Sequence, residues 1–212
     1  LSGCDRGNKR DCQFCDSLFN FHLGRVMSFQ DIFDVIDTYP RTSLLVITGG
    51  EPFIQDNITD FIRCFQKKYP NRVQIESNGD RLPKGYTEAF PGLHYPMLIV
   101  SPKPVNGKYL KLKDNVKQKT FALKFLIEDD PNSPYYDAPS VILKNWPTGR
   151  AIYISPITVY NRDVMLGEVA SFWNETLINK EATMKNYIRA AKLALEHNYI
   201  VSTQKHLLLS VL

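Results

Sequence analysis

Short apolar runs alternate along the chain with segments of helical period, and glycine, proline and small polar residues mark the junctions. Met27-Ser28-Phe29-Gln30-Asp31 has the form of a helix start, with Ser28 as N-cap and Asp31 at the third helical position. Ile32, Phe33, Val35 and Ile36 supply that helix with an apolar face, and Pro40 ends it. Ser43 to Ile47 is a continuous apolar run of strand length, followed at once by Thr48-Gly49-Gly50-Glu51-Pro52. An apolar run before a glycine turn and a helix predicts a buried parallel strand. The next helix spans Ile58 to Lys68 and stops before Pro70, its apolar face formed by Phe61, Ile62 and Phe65. Cys64 reads as a free, buried cysteine on that face. Further strands are predicted over Val73–Glu76, Pro96–Val100, Thr120–Ile127, Ala151–Ile154 and Ile200–Thr203, with a brief helix at Ser140–Lys144. Lys108, Lys111 and Lys113 fall on a loop, 129–138 is turn-rich, and the 160–179 insertion holds Trp173 and no clear strand. The longest helix is expected over Thr183–His197, with Met184, Ile188, Ala191, Leu193 and Leu195 facing inward.

Alternating strands and helices predict an α/β fold with a parallel sheet, which right-handed crossovers curl toward a barrel. Thr48-Gly49-Gly50-Glu51, Glu76-Ser77-Asn78, Ser101-Pro102-Lys103, Ser155-Pro156 and Gln204-Lys205-His206 all follow the C-terminal end of a strand. In barrels that rim carries the active site. Turns collect Gly, Ser, Asn and Pro in any protein, but turn chemistry does not explain Glu51, Glu76, Lys103 or His206.

Three of the four cysteines, Cys4, Cys12 and Cys15, lie in an opening segment too short and polar to be core. Cys12-Gln13-Phe14-Cys15 is a C-x-x-C, and Cys4 stands upstream on a loop with Gly7, Asn8 and Asp11. Thiolates three residues apart can face one centre from a tight turn, and a flexible loop can bring a third. Soft sulfur ligands select zinc, copper(I) or an iron–sulfur cluster. A structural zinc asks for four ligands, and no fourth is local; His22 sits in an aromatic run with Phe19 and Phe21 that reads as packing. The residues alone leave four readings: a metal or iron–sulfur centre with an open position, disulfides, a thioredoxin-like pair, or a zinc completed from afar.

Composition narrows the setting. The 212 residues suit one domain over 1–212, and 43% hydrophobic content supports an ordinary core. A net charge of +4 and a pI near 8.8 are a mild bias, and the basic residues are dispersed. That speaks against direct nucleic-acid binding, and Lys67-Lys68 and 108–119 read as solvated faces. No window approaches the roughly eighteen apolar residues of a membrane span, and no signal-peptide pattern is present. The chain opens on Leu1-Ser2-Gly3-Cys4 without a methionine, which reads as the end of a strand with further residues expected before it.

A cysteine triplet ending in C-x-φ-C, then a strand and Gly49-Gly50-Glu51-Pro52, resembles the signature of the radical S-adenosylmethionine (SAM) enzymes. A finer resemblance, over nearly the whole chain, is to the 7-carboxy-7-deazaguanine synthase family. Cys15-Asp16-Ser17-Leu18-Phe19 is similar to its C-D-T-x-F, Thr48-Gly49-Gly50-Glu51-Pro52 to T-G-G-E-P and Glu76-Ser77-Asn78-Gly79 to E-T-N-G. Ser101-Pro102-Lys103 looks like its S-P-K, and Gln204-Lys205-His206 like its Q-x-H. The resemblance implies a 4Fe–4S cluster on Cys4, Cys12 and Cys15 with one iron left for SAM. It implies that Phe14 packs on the adenine, that Gly49 and Gly50 let backbone approach the cofactor's ammonium, and that Glu51 accepts from it. Ser77, Asn78, Ser101, Pro102 and Lys103 would line the same cofactor, and Asp16 would either join them or cap the turn after the cluster. Mg²⁺ would bind at Ser17, and Thr48 and His206 would contact a pterin substrate. The implied reaction contracts the ring of 6-carboxy-5,6,7,8-tetrahydropterin to 7-carboxy-7-deazaguanine with loss of ammonia. It takes an electron from a donor such as flavodoxin, in a cytoplasmic homodimer.

This sequence departs from the pattern in three places. Its spacing is C-x7-C-x2-C against the commoner C-x3-C-x2-C, the Q-G-E-G segment that helps bind the pterin is absent, and the helical part is reduced. An incomplete (β/α)6 TIM-like barrel is therefore expected. Two other functions share some of these features: a glycyl-radical activase, which leaves Ser101-Pro102-Lys103 and Gln204-Lys205-His206 without a task, and a zinc-stabilised RNA-binding module.

Overall fold

Ser28 opens the first helix, α1 (Phe29–Asp37), through a capping box. Its hydroxyl accepts from the Asp31 N–H at 3.1 Å, and the Asp31 carboxylate accepts from the Ser28 N–H at 2.9 Å. The computed structural model describes residues 1–6, 12, 14–15, 24–39, 44–69, 72–92, 95–161 and 176–204. Phe33 is the buried residue of α1 and stacks on Phe61 of α2 (Ile58–Lys68). Asp37 then ties the two helices together, accepting from Lys68 Nζ at 2.8 Å and from the Tyr69 hydroxyl at 2.6 Å.

Six strands form one sheet in chain order: β1 (Leu44–Ile47), β2 (Arg72–Ser77), β3 (Met97–Val100), β4 (Thr120–Ile127), β5 (Ile152–Pro156) and β6 (Ile200–Val201). Every neighbouring pair is parallel, and β1 and β6 are edges, so the sheet does not close. Between the strands run α2, α3 (Tyr86–Ala89), α4 (Asp114–Lys119), α5 (Ser140–Leu143) and α6 (Lys180–His197). This is the expected incomplete (β/α)6 barrel, with all the C-terminal strand ends on one rim.

Strand alternation separates two faces. Leu123, Phe125 and Ile127 of β4 are fully buried in the core with Val73, Ile75, Leu98, Val100, Ile62 and Phe65. Burying each such side chain stabilises the fold by about 1.5–3 kcal/mol. The intervening Lys124 points the other way and meets Glu76 of β2 at 3.1 Å.

Several expectations need correction. Cys64 is exposed: at about 100° per residue it stands roughly 120° from the centre of the face made by Ile58, Phe61, Ile62 and Phe65. α6 begins three residues early, at Lys180, because Asn179 caps it by accepting from the Ala182 N–H at 3.0 Å. Its buried residues are Thr183, Asn186, Ala190, Leu193 and Ala194, whereas Met184, Ile188 and Leu195 are 46%, 50% and 87% exposed. The short helix α4 lies where the sequence reads as loop, and α3 in a stretch to which the sequence reading gave no element. An antiparallel bridge between Tyr160 and Ile178 pins the ends of the 160–179 insertion, while Trp173 lies outside the described residues.

Leu1 to Gly3 run beside the end of β1 in a strand-like pairing. The Leu1 nitrogen donates to the Thr48 carbonyl, Gly50 N–H to the Leu1 carbonyl, and Glu51 N–H to the Gly3 carbonyl, at 2.9, 2.9 and 2.8 Å.

Candidate active site

The rim encloses a cleft of about 230 Å³ that is partly open to solvent. Its wall contains Cys4, Cys12, Phe14 and Cys15 on one side and Thr48, Gly49, Gly50 and Glu51 on another. Ser77, Asn78, Ser101 and Lys103 complete the loops above β2 and β3. Residues from positions 4 to 204 thus meet in one place.

Cys12 and Cys15 occupy one tight turn, the Cys15 N–H donating to the Cys12 carbonyl at 3.1 Å. None of the cysteines is in a disulfide. Cys4 Sγ accepts from the Arg6 N–H at 3.4 Å. Phe14, between the two later cysteines, is held edge-on by Tyr135 at 5.1 Å, which in turn meets Tyr109 edge-on.

Glu51 is the anion at the centre of the wall, 2% exposed. Its Oε1 accepts from the Phe53 N–H at 3.0 Å and the Ser77 hydroxyl at 2.8 Å, and its Oε2 from the Asn78 N–H at 2.7 Å. Burial pushes this carboxyl above its ordinary value, outweighing the three donors, and nearby Asp5 adds to the rise. A carboxylate offers about four acceptor sites, so one stays open toward the cleft. Lys103 turns its ammonium onto the Ser101 carbonyl and hydroxyl at 2.9 and 2.7 Å. Burial pushes that lysine down to about 8; Cys12 opposes the fall and Lys124 adds to it.

The two glycines lie on the cleft wall and are also required by the chain itself. Gly49 has φ +122°, and a Cβ there would overlap the backbone of Leu1. A Cβ on Gly50 would overlap the Gly3 carbonyl, so the missing side chains admit the chain's own first residues. Asn78 lines the cleft while its Nδ2 donates to Asp5 at 2.9 Å and its Oδ1 accepts from the Asp80 N–H at 2.9 Å. Pro102 is buried and does not face the cleft. Asp16, Ser17 and His206 lie outside the described residues.

Among the cleft residues that the sequence reading did not single out are the charged Arg6 and Lys124, while Glu76 was placed on the rim without a role. Lys124 carried a usable signal, since a lone charge in an apolar strand has to face something polar. Arg6 carried none, because its partner Asp80 is far away in sequence.

The profile of the Radical SAM superfamily matches residues 2–122, more than half of the chain. This chain is a radical SAM protein. Curated relatives include the 7-carboxy-7-deazaguanine synthase of Koribacter versatilis, 38% identical over 72 residues, 33% of this chain and 31% of that protein. That of Hyperthermus butylicus is 36% identical over 81 residues, 37% of this chain and 32% of the relative. The matched stretch therefore spans about a third of the length of these relatives. The crystal structure of QueE from Escherichia coli superposes on 96% of this chain and 82% of its own, with a TM-score of 0.58 and 18% identity, a likeness of fold.

A radical SAM protein implies a 4Fe–4S cluster and SAM, and the cleft fits both. Three cysteines, none of them in a disulfide, line the cleft, as a cluster with an open iron requires. Among the described residues, no three Cys, His, Asp or Glu side chains converge tightly enough to hold a single metal ion. Among the same residues, no helix is long and apolar enough to cross a membrane.

Proposed function

We propose that this radical SAM chain is a 7-carboxy-7-deazaguanine synthase, a carbon–nitrogen lyase that contracts 6-carboxy-5,6,7,8-tetrahydropterin to 7-carboxy-7-deazaguanine with release of ammonia. The observation that carries this reading is the meeting of Cys4, Cys12, Cys15, the Thr48–Glu51 turn, Ser101, Lys103 and Gln204 around one cleft. Motifs spread along the chain become a single wall, in the order that the family's resemblance requires. The two relatives of that name add to it.

When bound, the reduced cluster and SAM would supply a 5′-deoxyadenosyl radical; the protein's own residues bind, orient and shield. Glu51 presents its open acceptor site to a cationic ammonium, and Phe14 offers an apolar face to a purine ring. Glu76 and Lys124 place an anion and a cation on the cleft floor, a pair suited to the amidine edge of a pterin and to its carboxylate. Thr48 and His206 would contact the same substrate, Ser17 would be a ligand to Mg²⁺, and Asp16 would join the cofactor's lining or cap the turn after the cluster. An electron donor of the flavodoxin kind would reduce the cluster.

The test is anaerobic reconstitution followed by incubation with SAM, reductant and the carboxytetrahydropterin, with both products read by mass spectrometry. Wild type should form 5′-deoxyadenosine and 7-carboxy-7-deazaguanine, and alanine at Cys4, Cys12 or Cys15 should abolish both. Cofactor cleavage without deazaguanine from an intact cluster would instead favour the glycyl-radical activase.

A further inference from the structure

Arg6 stands two residues past Cys4 and is 8% exposed. Its guanidinium grips Asp80 with two prongs, Nε donating to Oδ2 at 2.7 Å and Nη2 to Oδ1 at 2.5 Å. Asp5 beside it accepts from Asn78 Nδ2 at 2.9 Å and from Arg81 Nη2 at 2.8 Å. Asn78 closes the ring by accepting the Asp80 N–H on its own Oδ1 at 2.9 Å. Both residues that follow the first cysteine are therefore bound to the loop leaving β2. The same loop anchors Glu51, through the Asn78 N–H.

This arrangement has a consequence at the sulfur. The turn at Asp5-Arg6 aims the Arg6 N–H at Cys4 Sγ. A guanidinium–carboxylate fork resists rotation about its bonds, so it holds the backbone that carries it more firmly than a single contact would. A hydrogen bond to a ligand sulfur stabilises the more negative, reduced state of a cluster and raises its potential. The spacer before Cys12 is long, which makes the position of Cys4 depend more on such a clamp.

We propose that the Arg6–Asp80 pair is a positioning device for Cys4: it keeps the Arg6 N–H on the cysteine sulfur and thereby governs how firmly the iron–sulfur cluster is retained and at what potential it is reduced. The inference rests on Cys4 being a cluster ligand. It assigns no contact with substrate to either residue.

The experiment uses the full chain, reconstituted anaerobically with iron and sulfide, as wild type, Asp80→Asn, Arg6→Ala and the reversed pair Arg6→Asp/Asp80→Arg. Asp80→Asn keeps the shape of the site, so it answers the question even where Arg6→Ala folds poorly. Three quantities are measured: iron loss to a ferrous chelator, the midpoint potential followed by electron paramagnetic resonance, and the thermal midpoint of the apoprotein. Both single variants should lose iron about tenfold faster than wild type and be reduced only at more negative potential. The reversed pair should recover part of both, with the thermal midpoint of Asp80→Asn close to that of wild type. Wild-type iron loss and potential in Asp80→Asn would overturn the proposal, as would a change confined to the thermal midpoint. A wild-type protein that binds no cluster would overturn it from the other side, by removing Cys4 as a ligand.

Discussion

Glu51 is ionisable, almost fully buried and hydrogen-bonded three times over, a combination that makes it both a structural knot and a site for a cation. Ser77→Ala removes one of its donors, a hydrogen bond to a charged group, and should cost about 1.5–3 kcal/mol in urea unfolding of the apoprotein. Loss below a few tenths of a kcal/mol would mean that water replaces the hydroxyl freely. The pH dependence has a definite sign. Burial holds the folded carboxyl above its unfolded value, so the contribution of Glu51 is fully present below that unfolded value and is lost as pH rises through the folded one. Against Glu51→Gln, which cannot titrate, wild type should therefore lose relative stability as pH rises through that range. A gap that moves in favour of wild type would contradict it. The glutamate was legible in the sequence because no turn requires one after two glycines. Its partners Ser77 and Asn78 were legible as a motif, but the side chain of Asn78 turns to Asp5, a contact that no local pattern contains.

At the scale of elements, α6 shows where periodicity stops being decisive. The residues at 184, 188, 191 and 195 form one helical stripe, and those at 183, 186, 190, 193 and 194 form another beside it. The more apolar stripe faces solvent. The buried one carries Asn186, whose Oδ1 accepts from the Asp129 N–H at 2.7 Å and whose Nδ2 donates to the Ile157 carbonyl at 2.8 Å. Hydrogen bonding to backbone at the ends of β4 and β5 thus chose the face, which hydrophobicity alone had assigned to its neighbour. Asn186→Ala leaves two backbone groups unpaired and should destabilise by about 1–3 kcal/mol, whereas Leu195→Ser should stay within about 0.5 kcal/mol of wild type. Denaturant titration of the two side by side checks the assignment, and equal losses would refute it.

For the whole molecule, the question is how an open six-stranded sheet makes a closed chemistry. Lys124 and Glu76 reach across β3 on the face opposite the core, so the cleft floor joins β2 to β4. If that pair receives the pterin, Lys124→Met should keep SAM cleavage near wild type and raise the pterin KM about tenfold or more, the loss of one charged contact. An unchanged KM would detach these residues from substrate binding. The parallel α/β order, the capping of α1 and the gathering of the motifs on one rim could be read from the sequence, because strand runs, caps and turn signals are local and repeat at short range. Only the tertiary structure decided which stripe of α6 is buried, that the glycines after β1 admit Leu1 and Gly3, and that Arg6 finds Asp80. Those outcomes depend on backbones and charges far apart along the chain, and they form only once the sheet has set the loops side by side.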